Sequence, residues 1–501
     1  MRDKALLFAI LLAVPLISFG VAKAIQGQYE RDWETIIRRE LGQEIILQNI
    51  CGKPQTRQLL EQGCTMYNSK SSMERTALGT GAYGLALIGA ISFAGWIAQK
   101  NRKLLLALFK PGFYMMIVAV IILIIVQAGL AMAAIIYTES VWVGWFQGYL
   151  FVAVGVGAIV GVAGMIRGLF SVVKRATTLV AGKRLDAVNQ PTLFEFVSDL
   201  SRRIGALSPQ HIAVGLYPNF FVTQTDVHCL DGKLTGRTMY LSLPLCRILT
   251  RDEFEAVIGH ELGHYKGLDT QYSQKFYPVY KGTTESLVAM GKRLDGVGGV
   301  ILLPAYAILS FFLQAFSVAE SKISRERELA ADRIASEFAG RQSLGAALMK
   351  IHAFSRYWDC LRQDMREALS RNEMYTNVSS LFAQVVRSNS QRTALEGLEG
   401  QRLPHPTNSH PPLSARLQAL ELSVPALADI ALKTSPDPMS IELITDYEEV
   451  EKELTKCEHD LMVQSGEVVT FKKCPACAAM IHVSEDRCQC GFNFLRQGGV
   501  S

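Results

Sequence analysis

Thr250-Arg-Asp-Glu-Phe-Glu-Ala-Val-Ile-Gly-His-Glu-Leu-Gly-His-Tyr-Lys-Gly267 is the stretch on which the reading of this chain turns. Thr250 and Glu253 have the S/T-x-x-E spacing of a capping box, Gly267 is a suitable C-terminal stop, and Phe254, Val257, Ile258 and Leu262 supply a buried face, so a helix of about four turns is expected. Inside it, His260-Glu261-Leu262-Gly263-His264 sets two imidazoles four residues apart, on one helical face and one turn from each other. Two nitrogens so placed reach a single ion at about 2 Å. Glu261 projects beside the pair, where it hydrogen-bonds a metal-bound water without ligating the metal, the position a general base requires. Two surface histidines on a solvated helix are the plain alternative, and the apolar flank argues against it.

A catalytic zinc takes three protein ligands and keeps one position open. The third must come from outside the pentapeptide. Ser324-Arg-Glu-Arg-Glu328-Leu-Ala-Ala-Asp332 follows a helical pattern with Glu328 and Asp332 on one face. Glu328 is then a candidate ligand, and Asp332 a candidate acceptor for a histidine's second ring N–H. Spacing alone leaves Glu326 and Glu320 open as competitors.

Around this core the composition is that of a membrane protein. Of 501 residues, 49% are hydrophobic and only 19% charged, too apolar for an ordinary soluble enzyme and too long for one core. The net charge of +5 is dispersed, so nucleic acid is not an expected partner and the lipid bilayer is. Four apolar stretches, roughly Ala5–Ala22, Ala77–Ala98, Phe113–Ile136 and Val141–Ile166, are each long enough to cross about 30 Å of hydrocarbon. The first also has the look of a signal peptide, and an uncleaved anchor is the preferred reading. Lys100, Arg102, Lys103 and Lys110 lie in the second connection, and Arg167, Lys174, Arg175, Lys183 and Arg184 follow the fourth stretch. The positive-inside rule then puts both termini and the catalytic region in the cytoplasm of an inner membrane, and leaves loop 23–76 outside. That loop reads as an amphipathic helix followed by Cys51 and Cys64, a pair able to form a disulfide in an oxidising compartment.

Beyond Pro191 the chain reads as a folded domain. Strands are expected at His211–Leu216, Phe220–Thr225 and Thr238–Leu243, and helices over Ile323–Phe338, Leu344–Leu369 and Met439–Leu461. The apolar run Val297–Val318 is expected to be membrane-associated but not a single crossing, because His264 precedes it and Glu328 follows it; a break near Pro304 would allow a return. Domain limits are placed at 1–176 for the membrane part, 190–425 for the catalytic part including 297–318, 426–465 for a helical linker, and 470–495 for a terminal module.

That module contains Cys474-Pro-Ala-Cys477 and, ten residues on, Cys488-Gln-Cys490. Four thiolates at this spacing suit a closed, tetrahedral, structural zinc site, close to a zinc ribbon with one residue missing from its second knuckle. It is expected to be a docking element for a protein partner and not a second active site.

The metal-helix motif preceded by Glu255-Ala-Val-Ile-Gly, then Arg327-Glu328-Leu-Ala-Ala-Asp332, then His410-Pro-Pro-Leu-Ser-Ala-Arg416-Leu resembles the HtpX-like and CAAX prenyl protease family of membrane zinc metallopeptidases. The resemblance covers roughly Leu193 to Leu420. It implies an α-helical membrane protein with a mainly α (α+β) gluzincin-like domain, in which His260, His264 and Glu328 bind zinc and Glu261 acts on the water. It also implies catalytic roles for Arg416 and His410, which match the late motif and could steady an oxyanion. The expected function is endopeptidase cleavage of membrane or misfolded proteins at the cytosolic face, in quality control, with prenylated-peptide processing less favoured. An inactive membrane scaffold recruiting partners through the cysteine module is the alternative, and the intact Glu261 argues against it.

Overall fold

The computed structural model describes residues 2–42, 46–51, 58–100, 102–145, 147–171, 177–266, 280, 283–284, 287–288, 291, 302–398, 411–468, 471–477, 480–482 and 487–493. Two compact units emerge, and each is discontinuous in sequence: Met1–Arg175 with Lys275–Ile323, and Ala176–Gln274 with Ser324–Ser501.

The first unit is made of long helices, Arg2–Leu41, Gln58–Ala98, Arg102–Thr138 and Gly148–Ser171, joined by the opening part of Leu303–Ala339. Their apolar residues do not keep to one face. Leu16, Phe93, Met115, Ile125 and Ile159 are exposed, as in helices whose surroundings are hydrocarbon. Among the described residues five helices are long and apolar enough to cross a membrane, four in the expected places and the fifth beginning at Leu303. Pro304 does not break that fifth helix. It lies in the first turn, where a missing N–H costs nothing; Val297–Ile301 lie outside the described residues. Small residues let this segment pack closely, with a Cβ on Gly95 falling 3.1 Å from Ala315. Aromatic rings join it to the third long helix, Phe109 lying 5.6 Å from Phe312 and 5.1 Å from Phe316.

Loop 23–76 is mostly helix. The amphipathic segment continues the first helix to Leu41, and Gln58 onward belongs to the second. Cys51 and Cys64 are disulfide-bonded and pack with Ile37 and Leu47 in a small apolar cluster.

The second unit holds a four-stranded sheet of order β2-β3-β7-β4, with β2 at Gly182–Leu185, β3 at His211–Gly215, β4 at Phe221–Thr223 and β7 at Thr238–Ser242. β7 is buried throughout and pairs parallel with β3 and antiparallel with β4. A smaller sheet joins β1 (Thr177–Leu179), β5 (Asp226–Cys229) and β6 (Gly232–Leu234). Helices Pro191–Ile204, Arg251–Lys266 and Arg341–Phe354 enclose the core with the sheet. Residues 426–465 are not a linker. Leu427, Ala431, Ile441, Leu443, Val450 and Leu454 are all buried in that same core, because their spacing gives the segment an apolar face that must be covered.

Buried ion pairs fix the base of this unit. Lys350 Nζ reaches Glu253 Oε2 at 2.7 Å and the carbonyls of Ile248 and Lys433. Burial pulls the Lys350 pKa down and pushes that of Glu253 up, each opposed by the partner's charge. Arg247 forks onto Glu451, which also accepts from Asn377 and Ser379.

Candidate active site

Helix Arg251–Lys266 begins as its sequence requires. The Glu253 N–H donates to Thr250 Oγ1 at 3.1 Å and the Thr250 N–H donates to Glu253 Oε2 at 2.8 Å, closing the capping box. The helix ends at Lys266, and Gly267 lies outside the described residues. At its far end the Tyr265 hydroxyl lies 2.9 Å from the Thr238 carbonyl and 3.2 Å from that of Thr223, tying the helix to β7 and β4.

The partner helix is Leu303–Ala339, whose later turns cross Arg251–Lys266 where both carry small residues. A Cβ on Gly263 would fall 3.3 Å from both Cα and Cβ of Ala331, and one on Gly259 would fall 3.6 Å from Cα of Ala335. The two backbones therefore approach as closely as backbones can. One turn before Ala331 stands Glu328.

This crossing brings the candidate ligands together. His260 Nε2 lies 3.4 Å from Glu328 Oε2, and His264 Nε2 lies 3.5 Å from Glu328 Oε1. Bonds of about 2.05 Å in a tetrahedron imply ligand atoms about 3.4 Å apart, so these edges suit a zinc ion. One donor atom from each residue lies within 4.8 Å of the others. Of the competitors, Glu326 is exposed on the helix, while Glu320 is buried in the part of it that belongs to the first unit.

A second layer stands behind His260. Its Nδ1 is 2.9 Å from Asp332 Oδ1, and an N–H there directs the Nε2 lone pair toward Glu328. Arg416 grips the same carboxylate with Nε at 2.8 Å and Nη2 at 2.5 Å, and Nη2 is 3.3 Å from His260 Nδ1. Asp332 and Arg416 are only 1% and 2% exposed. Burial would raise the Asp332 pKa, but Arg416 and His260 outweigh it and hold the carboxyl well below its usual range. Burial and Arg416 likewise oppose charge on His260, yet Asp332 and Glu328 prevail and push its pKa up to about 10. The pocket is thus set to receive positive charge. Glu261, Glu328 and Asp332 are all buried here beside Arg416.

Arg416 was expected near a scissile carbonyl. It lies instead against Asp332 and His260, on the side of the imidazole away from Glu328. Nothing in the sequence pairs residues 84 positions apart; the available sign is a lone arginine between Leu413 and Leu417, both of which are buried. His410 lies outside the described residues. Cys474, Cys477, Cys488 and Cys490 do come together, in a separate place.

Residues 229–423 match the profile of peptidase family M48. This stretch is an M48 peptidase domain. The chain is similar to proteins named protease HtpX homolog. That of Archaeoglobus fulgidus is 28% identical over 236 residues, 45% of this chain and 65% of the relative. That of Pyrobaculum calidifontis is 28% identical over 293 residues, 54% and 81% of the two chains, and that of Pyrococcus furiosus 33% identical over 178 residues, 33% and 58%. The HtpX-like resemblance drawn from the three motifs therefore holds. The M48 domain includes both helices of the crossing and the Arg416 helix, and it stops short of the cysteine cluster.

Proposed function

We propose that this chain is a membrane-embedded zinc endopeptidase that cleaves membrane or misfolded proteins at the cytosolic face, in protein quality control. The convergence of His260, His264 and Glu328 beside Glu261 carries the reading. Zinc held there would polarise a substrate carbonyl and acidify a bound water. Glu261, next to His260 on the same turn, takes the water's proton and returns it to the leaving amine. Arg416 orients Asp332, Asp332 fixes the His260 tautomer, and neither is asked to touch substrate. The cytosolic placement rests on the basic residues around Lys100–Lys110 and after the fourth long helix. The preference for membrane substrates rests on the joining of this domain to apolar helices of spanning length.

Glu261→Gln tests the mechanism. It keeps side-chain size and removes the base, so purified protein should retain its zinc while hydrolysis of an unfolded membrane protein falls about 10²- to 10⁴-fold. A fully active Glu261→Gln protein would refute the mechanism. Comparing membrane proteomes of cells carrying the intact and Glu261→Gln forms tests the quality-control role, which fails if no membrane protein accumulates.

A further inference from the structure

We propose that Cys474, Cys477, Cys488 and Cys490 hold a zinc ion of their own, and that this ion folds the hairpin they occupy. The four sulfurs converge from two turns. Cys474 and Cys477 flank a turn directly after β8 (Phe471–Lys473), which pairs antiparallel with β9 (Met480–His482). Cys488 and Cys490 sit in a second tight turn, bounded by the Arg487–Asn493 bridge and closed by Cys488 N–H to Phe492 O at 2.8 Å and Gly491 N–H to Cys488 O at 2.8 Å. Gly491 has φ +91°, a left-handed backbone that glycine adopts freely. The second turn therefore presents two thiols even though only one residue separates them.

The sulfur spacing decides between the chemistries open to four thiols. Cys474 and Cys490 are 3.6 Å apart at sulfur, and Cys477 and Cys488 are 3.5 Å apart. A disulfide would need about 2.05 Å. Four thiolates around zinc at about 2.3 Å stand about 3.8 Å apart, close to what is seen. Backbone N–H groups also aim at the sulfurs, from Ala476 and Cys477 to Cys474 and from Cys490 to Cys488.

The described part of the hairpin has a small apolar cluster. Among its described residues the apolar cluster consists of Cys474 and Cys488, with Phe492 packed against them. Burial on that scale does not offset the ordering of some twenty residues, and small modules of this kind fold on a metal. All four coordination positions are filled by protein, so the ion has no place for water or substrate and its role is structural.

The test uses the full chain purified in detergent without thiols. An organic mercurial, which takes thiolates and spares imidazole and carboxylate ligands, is added in the presence of a chromogenic zinc chelator. About one equivalent of zinc per chain should be released, equally from wild type and from His264→Ala, and none from Cys488→Ser/Cys490→Ser. Trypsin should then cut at Lys472, Lys473 or Arg487 only after mercurial treatment, a readout that needs no variant. No mercurial-released zinc from wild type, bound iron with its visible absorption in place of zinc, or tryptic cleavage equally fast before and after treatment would each overturn the proposal. Because His264→Ala should still release this zinc, failure of the proposed peptidase site leaves a different signature from failure here.

Discussion

Two sets of candidate metal ligands in one chain are built in opposite ways. His260, His264 and Glu328 project from two long helices in a unit with an extensive apolar core, whereas the four cysteines sit on short turns around Phe492. In the first set the protein fixes the geometry and an ion would be accepted into it. In the second the ion would fix the geometry and the protein follows. The outer shell differs accordingly. Behind His260 stand Asp332 and Arg416, two buried charged side chains, while among the described residues Cys474 is met by the backbone amides of Ala476 and Cys477. Preorganisation needs a core able to hold buried charge in place, and twenty residues do not provide one.

The contrast is sharpest when one ligand is deleted from each set. His264→Ala should abolish hydrolysis and release the helix-bound zinc, with far-ultraviolet circular dichroism and the thermal transition of the second unit nearly unchanged, since packing and not metal supports those helices. Loss of helix content in that variant would break the comparison. Asp332→Asn comes next: His260, His264 and Glu328 stay but the charge behind His260 goes, and zinc affinity or activity should fall about 10- to 100-fold. Competition with a graded chelator measures this, and an unchanged zinc affinity would remove Asp332 from the site. Gly263→Ala forces a methyl against Ala331 and should cost about 1–3 kcal/mol in unfolding free energy, read from denaturant titration; a neutral result would show that the crossing has slack. Thr250→Ala, which removes only the cap, should cost about 1 kcal/mol and leave turnover per zinc-loaded enzyme unaltered. Lost turnover there would show that the helix start positions the ligands as well as stabilising the helix.

How much of this was legible depended on whether the determining interaction was local. The capping box at Thr250 and Glu253 was readable because both partners lie within one turn. The two histidines were readable for the same reason. Glu328 needed the family resemblance, since helical periodicity offers Glu320 and Glu326 equally well. The Asp332–Arg416 fork was not readable at all, because it joins helices brought together only by the fold. Strands β1, β2, β5 and β6 escaped notice as three- or four-residue pieces too short to show alternation. The unit boundaries were misplaced because hydropathy reports that 297–318 is apolar without saying which apolar surface covers it: Phe312 and Phe316 lie against Phe109 of the first unit. The stretch 426–465 lost its linker reading by the same token, its apolar positions being plain in the sequence and their burial in the main core not.

The contact of Gly263 with Ala331 has a consequence for how the candidate ligands are spaced. Two helices meeting with only a methyl group between them have little softer material to compress, so their separation is a fixed gauge. Glu328 rides on one jaw of that gauge and both imidazoles on the other. Donor atoms 3.4 and 3.5 Å apart suit the bonds of about 2.0–2.1 Å that a tetrahedral zinc ion makes. The spacing of the donors would thus be set by a glycine and an alanine that carry no donor atom, and a methyl group added at their contact would move the two jaws apart.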